Sequence, residues 1–432
     1  MEECPNKQLL LHVWIVCALG LFIDGYDLYI SSVAEPFIYV LYHPSPFMIG
    51  LTQAAAPMGA ALGAIVLGRM SDMIGRRSLL IFNLIFFVII ALISACAWNT
   101  ISLCVFRFLI GFGVGADYPI CAAYLSEMIP KNKSARFITA AMFFNCLASP
   151  VGVMAAWLMF KVYPHLEVWR IMFASGAVPA VIGLLLRAKL PESFLWKVHQ
   201  QLRKQNQTIM QNYQTLFSPQ FLKITVCLSL SWFLLDISYY GIGLFTPYVL
   251  QAVHIANHSD LLLDANDVLK STLFVNIFVV IGSISVVFFV TKIERIKLQK
   301  LGFMYSFLGL LILSLSHTFS NSINLSMIFT GFILFNFFVN FGPGITTYLL
   351  PAELYSIEMK ATGHGLAAGF GKLGAFVGAI FMPVLEANVG IYLTVGILSV
   401  ALLLGWVLTH ILGKQDFNLE PLTTEILSLG VT

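Results

Sequence analysis

The stretch "GRMSDMIGRR", residues 68–77, is a short charged segment that separates two long apolar runs. An Asp can bond to the N-terminus of a helix or to an Arg, and glycines allow close helix contact and tight turns. An ordinary basic loop is the alternative, and the spacing of the charges and glycines argues against it. The stretch therefore predicts a tightly packed connection between two helices, built by Gly68, Asp72, Gly75, Arg76 and Arg77.

The surrounding chain has the composition of a membrane protein. Of its 432 residues, 59% are hydrophobic and only 10% are charged, whereas soluble domains carry about 25% charged residues. The cysteines form no C-x-x-C pair, so they predict neither a disulfide framework nor a metal site. Asp24 and Asp27 interrupt the first apolar run, which we therefore expect to be a retained span and not a signal peptide. The fold class that follows is an all-α polytopic membrane protein.

Twelve apolar runs reach the length of about 20 residues that crosses a membrane. They form two sets of six, which predicts two halves related by an axis along the membrane normal. The expected N-terminal half is 1–189, the linker is 190–220, the C-terminal half is 221–413 and the tail is 414–432. The expected spans are 9–40, 47–71, 78–97, 101–129, 133–161, 168–189, 221–252, 267–291, 299–317, 321–350, 357–386 and 390–413.

The positions of Lys and Arg predict the orientation of the chain. Most of the 24 Lys and Arg residues lie in the tails, in the loops after even-numbered spans and in the central segment that begins at Arg187. Positive charge stays on the cytoplasmic side, so both termini and the central segment are expected there. The compact loops suggest a plasma membrane, specifically a bacterial inner membrane. Arg107 and Lys372 lie inside spans instead.

The seventh span carries a carboxylate near its middle, in "SWFLLDISYYGIGLF" (231–245). A carboxylate inside a bilayer is costly, so Asp236 is a functional candidate by default; a protonated Asp that only bonds within the bundle is the alternative. Steps of four residues advance about 40° around a helix, so Trp232, Asp236 and Tyr240 form one slanted stripe. The acid between two aromatic residues favours a stripe that faces a substrate over simple packing.

A lysine lies at the middle of the eleventh span, in "AAGFGKLGAFVG". One interpretation is that Lys372 pairs with a carboxylate solely for folding. The other is that its ammonium group binds an anion as a compact point charge. Both interpretations hold in turn if Lys372 pairs with Asp236 while the site is empty.

Three further carboxylates fall inside the N-terminal spans. Asp24 and Asp27 are one turn apart in the first span, and Asp117 precedes Tyr118 in the fourth. Burial and nearby cations shift the protonation of a carboxylate in opposite directions, so such groups can exchange protons as their surroundings change. A structural pair near Arg107 is an equally good interpretation of Asp24 or Asp27.

Several motifs resemble the major facilitator superfamily. The opening stretch is similar to its cytoplasmic signature G-x-x-x-D-[RK]-x-G-[RK]-[RK], "RFLIGFGVG" looks like a second motif, and "PES" at 191–193 resembles the sugar-porter-like branch. "GADYPICAAYLSE" (115–127) resembles the signature of the phosphate:proton symporter family, G-G-D-Y-P-L-S-A-T-I-x-S-E. "FIDGYDLYI", "HGLAAGFGKLGA" and the W-x3-D-x3-Y pattern of the seventh span resemble further motifs of that family. The resemblance implies twelve transmembrane helices in the major facilitator fold.

The resemblance also implies roles for individual residues. The positions that match phosphate contacts are Tyr118, Asn145, Trp232, Asp236, Tyr240 and Lys372. Asn145 stands where the family has a Gln, which keeps the amide but is one methylene shorter. The residues implied for proton coupling are Asp24, Asp27, Asp117 and Asp236. Those expected to latch or gate the cytoplasmic side are Gly68, Asp72, Gly75, Arg76, Arg77, Arg107, Glu127, Arg136 and Glu353.

The sequence as a whole predicts a proton-coupled importer of inorganic phosphate that works by alternating access. A symporter of an organic anion or a phosphorylated metabolite is the alternative, and a nutrient receptor that binds without transporting is a third possibility. We expect no enzyme activity, cofactor, metal site or nucleic-acid partner, since the chain lacks the motifs for them. The expected partners are a small anion, protons and membrane lipids, and the expected state is a monomer.

Overall fold

The computed structural model describes residues 7–203, 211–252, 261–317, 324–356 and 359–412, so the expected tail at 414–432 lies outside the described residues. Within these ranges, 12 helical spans are long and apolar enough to cross a membrane. The prediction of an all-α protein with twelve membrane spans is therefore confirmed.

In the described residues, the first six spans and the linker contain nine helices. The sixth span is divided at Gly176 into two helices that follow one another directly. The helices are α1 Lys7–Tyr42, α2 Pro46–Ile74, α3 Arg76–Ser94, α4 Thr100–Met128, α5 Lys131–Val162, α6 Val168–Ser175, α7 Ala177–Arg187, α8 Phe194–Arg203 and α9 Gln211–Leu216.

The described part of the last six spans contains eight helices. The tenth span is interrupted between Gly342 and Pro343, where a new helix begins because proline has no N–H to continue the previous one. The helices are α10 Pro219–Gly243, α11 Thr246–Ala252, α12 Leu261–Phe289, α13 Arg295–Leu315, α14 Leu325–Phe341, α15 Pro343–Leu354, α16 Lys360–Val389 and α17 Ile391–Leu412.

The observed spans differ from the expected ones where an apolar run continues across a break. The seventh span was expected at 221–252, but α10 ends at Gly243 and the short helix α11 follows. The tenth span was expected at 321–350 and instead runs to Leu354. Hydropathy cannot locate these ends, because α10 ends inside an apolar run and α15 continues past one, through Glu353 to Leu354.

The two halves meet along α2 and α16, at positions where small residues let the backbones approach. A Cβ on Gly365 of α16 would lie 2.4 Å from the carbonyl oxygen of Ala64 in α2. Glycine therefore allows a contact that no other residue allows, as is common between membrane helices. A second contact joins α5 to α12. The candidate site lies between these two contacts.

Candidate functional site

The centre of the site is Lys372, which α16 directs towards the stripe on α10. Its Nζ lies 3.3 Å from Oδ2 of Asp236 and donates to the hydroxyl of Tyr240 at 2.5 Å. The approach is possible because α16 carries Gly374, where a Cβ would lie 2.1 Å from the carbonyl oxygen of Phe233 in α10. The structure therefore joins the two charged residues that the sequence placed in different spans.

Two aromatic rings enclose the ammonium group of Lys372. Its Nζ lies 4.3 Å from the ring centroid of Tyr240 and 4.7 Å from that of Tyr118. A cation over a ring face is stabilised, by about 2 kcal/mol or more where water is excluded. Since Tyr118 belongs to α4, the cation is held between the N-terminal and the C-terminal half.

Asn145 and Trp232 support this enclosure from two sides. Nδ2 of Asn145 donates to the carbonyl oxygen of Leu21 at 2.8 Å and to the hydroxyl of Tyr118 at 3.4 Å. The ring of Trp232 makes an edge contact with that of Tyr118 at 6.4 Å. All six residues expected to contact the substrate are at most 7% exposed, and the structure brings them together.

Two residues of this enclosure were not predicted as substrate contacts. Tyr348 on α15 packs edge-on against Tyr118 and Trp232. His364 on α16 packs against Trp232, and its Nε2 lies 3.0 Å from the carbonyl oxygen of Tyr348. The Gly342–Pro343 pair in the sequence could have pointed to Tyr348, because a helix that is interrupted inside a membrane often lines a binding site.

A narrow cavity adjoins Lys372 and extends towards the N-terminal half. Its polar lining is Asp27, Tyr118, Tyr240 and Lys372, and the rest is mostly small residues of α2 and α4. The cavity therefore connects a carboxylate of the first span to the cation of the eleventh.

The carboxylates of the first and fourth spans have different partners. Asp27 accepts a hydrogen bond from Nη1 of Arg107 at 2.6 Å, so the pairing that the sequence offered as one interpretation is present. Asp117 pairs with Arg187 at 2.6 Å. Oδ2 of Asp24 is buried and has no hydrogen-bond partner within the described ranges.

The position of Arg187 corrects an expectation. The sequence grouped it with the basic residues of the cytoplasmic central segment, but its side chain is 0% exposed and lies at the end of α7 inside the bundle. An arginine at the end of a span looks like a boundary residue in the sequence, and only the tertiary packing, in which α7 lies against α1 and α3, places it beside Asp117 of α4.

The stretch 68–77 forms part of a network that we call the N-terminal corner, made of Asp72, Arg76, Glu127 and Glu192, of which the first three are buried. Arg76 pairs with Asp72 and Glu127, each at 2.7 Å. The backbone N–H of Arg76 donates to Oε1 of Glu192 at 2.9 Å, which caps the start of α3. Gly75 has φ +118°, a conformation that glycine adopts without strain.

Asp72 also joins the two halves at this corner. Its Oδ2 accepts from the backbone N–H of Thr362 at 2.9 Å, in the first turn of α16, and from the hydroxyl of the same residue. Asp72 thus bonds both an Arg and a helix N-terminus, the two partners that the sequence considered. Arg77 donates to the carbonyl oxygen of Ala188 at 3.0 Å, and Gly68 lies against α16.

The equivalent region of the second half, which we call the C-terminal corner, consists of Glu294, Arg295, Lys297 and Glu353. Arg295 pairs with Glu353 at 3.0 Å, with both side chains about 30% exposed.

Arg136, expected in the latch, is exposed and lies over the ring of Phe288 at 5.9 Å. The structure does not bring it into the N-terminal corner.

The halves also touch on the other side of Lys372. The hydroxyls of Tyr29 and Tyr239 lie 3.0 Å apart, and Ser32 donates to the carbonyl oxygen of Leu244. Nearby, the hydroxyl of Tyr248 donates to Oε2 of Glu386 at 2.9 Å. Burial is the main cause that raises the pKa of the Tyr248 phenol, and this hydrogen bond raises it further. The candidate site is therefore covered from both sides of the membrane.

Comparisons with known proteins agree with this geometry. Residues 17–379 match the profile of the Major Facilitator Superfamily. The chain is 30% identical to the probable inorganic phosphate transporter 1-12 of Oryza sativa subsp. japonica, over 84% of this chain and 80% of that protein. It is 27% identical to the low affinity inorganic phosphate transporter 4 of Medicago truncatula, over 84% and 81%.

Solved structures share the fold. The proton:xylose symporter XylE bound to 6-bromo-6-deoxy-D-glucose superimposes with a TM-score of 0.76 at 18% identity, covering 93% of this chain and 95% of that one. A partially occluded inward open conformation of XylE from E. coli gives the same TM-score and identity, covering 93% and 97%. At this identity the likeness establishes the fold alone.

Proposed function

The chain belongs to the major facilitator superfamily, and from this premise we propose that it is a proton-coupled importer of inorganic phosphate that works by alternating access. Its family and curated relatives are transporters and not enzymes, as the sequence predicts. The observation that carries the proposal is the buried ammonium group of Lys372, which is held between the halves beside a carboxylate and two phenols.

The anion would lie beside Lys372, in the cavity between the halves. Lys372 supplies the positive charge, and hydroxyl, indole and amide groups supply hydrogen-bond donors. A desolvated ammonium with converging donors suits a compact oxyanion. The donors are Tyr118, Asn145, Trp232 and Tyr240. The cavity is narrow, which favours inorganic phosphate over a phosphorylated metabolite.

Asp236 couples anion binding to a proton. While the site is empty, the ionised carboxylate faces Lys372 at 3.3 Å and neutralises it. An arriving anion competes for the same cation and is repelled by the carboxylate, so binding is favoured when Asp236 is protonated. Proton and anion thereby strengthen each other's binding, which is a coupling free energy between two ligands.

The membrane potential makes this coupling necessary. Bringing one negative charge into a negative-inside cell costs about 2.3 kcal/mol per 100 mV. Moving at least one proton more than the charge of the anion turns this cost into a driving force. Asp24, Asp27 and Asp117 line the proposed proton route on the N-terminal side, and the cavity that reaches Asp27 supports this assignment.

Alternating access would proceed by rocking of the halves around Lys372. The N-terminal corner, with its bond from Thr362 to Asp72, closes one side, and the contact of Tyr29 with Tyr239 closes the other. Arg107 would contribute to gating through its pairing with Asp27. Glu353 would contribute to gating through its pairing with Arg295 in the C-terminal corner.

We place both termini and the N-terminal corner on the cytoplasmic side of a plasma membrane, since the basic residues Arg76, Arg77 and Arg295 gather there. The proposal of a bacterial inner membrane rests on the compact loops, while the relatives named above are plant proteins. We further propose a monomer surrounded by lipid, with the two halves at 1–189 and 221–413.

Uptake of labelled phosphate into proteoliposomes tests the proposal. Wild-type protein should accumulate phosphate when the outside is acidic, and Asp236→Asn and Lys372→Ala should each abolish this accumulation. Lys270→Ala is a matched control, because Lys270 forms an exposed pair with Asp267 and should keep wild-type uptake. Competition by organic anions and phosphorylated metabolites in the same assay separates the alternative substrates. Undiminished accumulation in either site variant would contradict the role assigned to that residue.

A further inference from the structure

Three carboxylates of the proposed proton route lie in the N-terminal half, and two of its buried arginines pair with them. Arg107 pairs with Asp27 and Arg187 pairs with Asp117. This leaves Asp24, which is 1% exposed and whose Oδ2 has no hydrogen-bond partner among the described residues. Two of the three carboxylates therefore have a cation of their own, and the third contacts none in the part of the chain that the structure describes.

The contact between Arg187 and Asp117 is bidentate. Nη1 lies 3.1 Å from Oδ1 and Nη2 lies 2.6 Å from Oδ2. Nη1 also donates to the carbonyl oxygen of Leu80 at 2.6 Å, which fixes the guanidinium against α3. Two parallel charge-assisted bonds hold a carboxylate more tightly and in a more defined direction than one.

The first span leaves room for this pair. A Cβ on Gly20 would lie 2.1 Å from Nη2 of Arg187 and 2.9 Å from Oδ2 of Asp117. Any larger residue at position 20 would displace the guanidinium, because both partners are 0% exposed and closely packed. Gly20 lies one turn before Asp24 on α1, so the same segment accommodates the pair and presents the unpaired acid.

The pair determines which carboxylate can exchange a proton. Protonating Asp117 would leave Arg187 buried and unpaired, which is strongly unfavourable. Asp24 is the reverse case, because an isolated buried carboxylate is costly and becomes neutral by taking a proton. The charged or titratable groups around it are Asp27, Asp117, Tyr118, Arg187, Tyr240 and Lys372, and the thiols of Cys17 and Cys121 also face Arg187.

We propose that Arg187 is a positioning residue that keeps Asp117 ionised throughout transport, so that Asp24 carries the proton of the N-terminal half. This inference rests on the proposed function, because it divides the proton route among its members. Asp117 then orients Arg187 and contributes to the electrostatic potential at Asp24, but it does not carry the proton.

The accumulation ratio at equilibrium distinguishes a proton carrier from a structural charge. Each coupled proton contributes about tenfold to this ratio for each pH unit of gradient. Asp24→Asn should therefore lower the ratio of inside to outside phosphate by about tenfold per pH unit and keep phosphate exchange without a gradient. Asp117→Asn combined with Arg187→Gln removes the pair as a neutral unit, and this double variant should keep the wild-type ratio at equilibrium.

Thermal unfolding against pH tests the pair independently of any substrate. Arg187→Gln leaves Asp117 without its cation, so this variant needs a proton that the wild type does not. Its melting temperature relative to wild type should fall as the pH rises from 5 to 8, and the double variant should lose that dependence. Glu294→Gln with Lys297→Gln, an exposed pair of the C-terminal corner, is the control and should follow the wild type.

The outcomes separate this inference from the function it rests on. If wild-type protein accumulates no phosphate, the proposed function fails, while the melting profiles still test the pair. A double variant that loses the same tenfold as Asp24→Asn would overturn the inference, as would an unchanged ratio in Asp24→Asn. A melting profile of Arg187→Gln that runs parallel to wild type would also overturn it.

Discussion

The N-terminal and C-terminal corners occupy equivalent places in the two halves, but they are built differently. In the N-terminal corner, Arg76 is 1% exposed and bridges two buried carboxylates, and Asp72 reaches across to α16. In the C-terminal corner, Arg295 and Glu353 form one contact with both side chains about 30% exposed. The two halves therefore place a corner at equivalent positions, but the contacts that stabilise the two corners differ in burial and number.

The difference follows from the sequence of each connection. "GRMSDMIGRR" has an Asp four residues before Arg76 and a glycine with positive φ that turns α3 towards Glu192. "TKIERIKLQK" has Glu294 directly before Arg295 and no glycine, and Glu294 pairs outward with Lys297 at 3.3 Å. Only the N-terminal corner bonds the opposite half within the described residues of the two corners. We infer that the N-terminal corner contributes most of the interaction free energy that keeps the two halves closed on this side.

The largest effect should come from Arg76→Gln. Removing one partner of a buried ion pair costs about 3–5 kcal/mol, because the remaining charges stay buried. Here both Asp72 and Glu127 would be left without their cation. We expect a clearly lower melting temperature in detergent and an initial rate of phosphate uptake that falls at least about tenfold.

Adding Glu127→Gln to Arg76→Gln sharpens this expectation, since it removes one of the two stranded charges. The combined variant should recover part of the lost melting temperature. If Arg76→Gln unfolds and transports like wild type, the N-terminal corner contributes no more than an exposed pair, and the contrast between the corners disappears.

A much smaller effect is expected from Arg295→Gln. Exposed ion pairs contribute about 0–1 kcal/mol, so uptake should stay within about twofold of wild type and the melting temperature should barely change. The same assays on the same preparations measure both arginine variants. A loss as large as that of Arg76→Gln would show that the two corners are equivalent.

The sequence predicted the features that depend on local spacing. The stripe of Trp232, Asp236 and Tyr240 follows from helix geometry alone, and the pairing of Asp72 with Arg76 follows from their spacing of four residues. The bond from Thr362 to Asp72, across 290 positions, does not follow from local spacing. Lys372 was expected opposite Asp236 because unpaired charges are costly inside a membrane. For the stripe and for the pairing of Asp72 with Arg76, one helix or one loop contains most of the required information.

Other contacts depend on how distant helices pack, which the sequence does not record. Arg187 and Asp117 are 70 positions apart, and the hydrophobic pattern of α7 gives no sign that its last residue points inward. The bond between Tyr29 and Tyr239 joins the two halves and depends on their relative placement. The prediction for Arg136 was wrong in the opposite sense. This basic residue was expected to join the N-terminal corner, and it packs on Phe288 instead.

The pH dependence of phosphate affinity in wild type and Asp236→Asn tests the central claim most directly. The claim is that phosphate binds when Asp236 is protonated and Lys372 is released to the anion. Because asparagine is always neutral, the ratio of variant affinity to wild-type affinity should rise with pH, approaching about tenfold per unit once wild-type Asp236 is ionised. Calorimetric titration of both proteins with phosphate from pH 5 to 8 measures this ratio. A ratio that stays constant over that range would contradict the account.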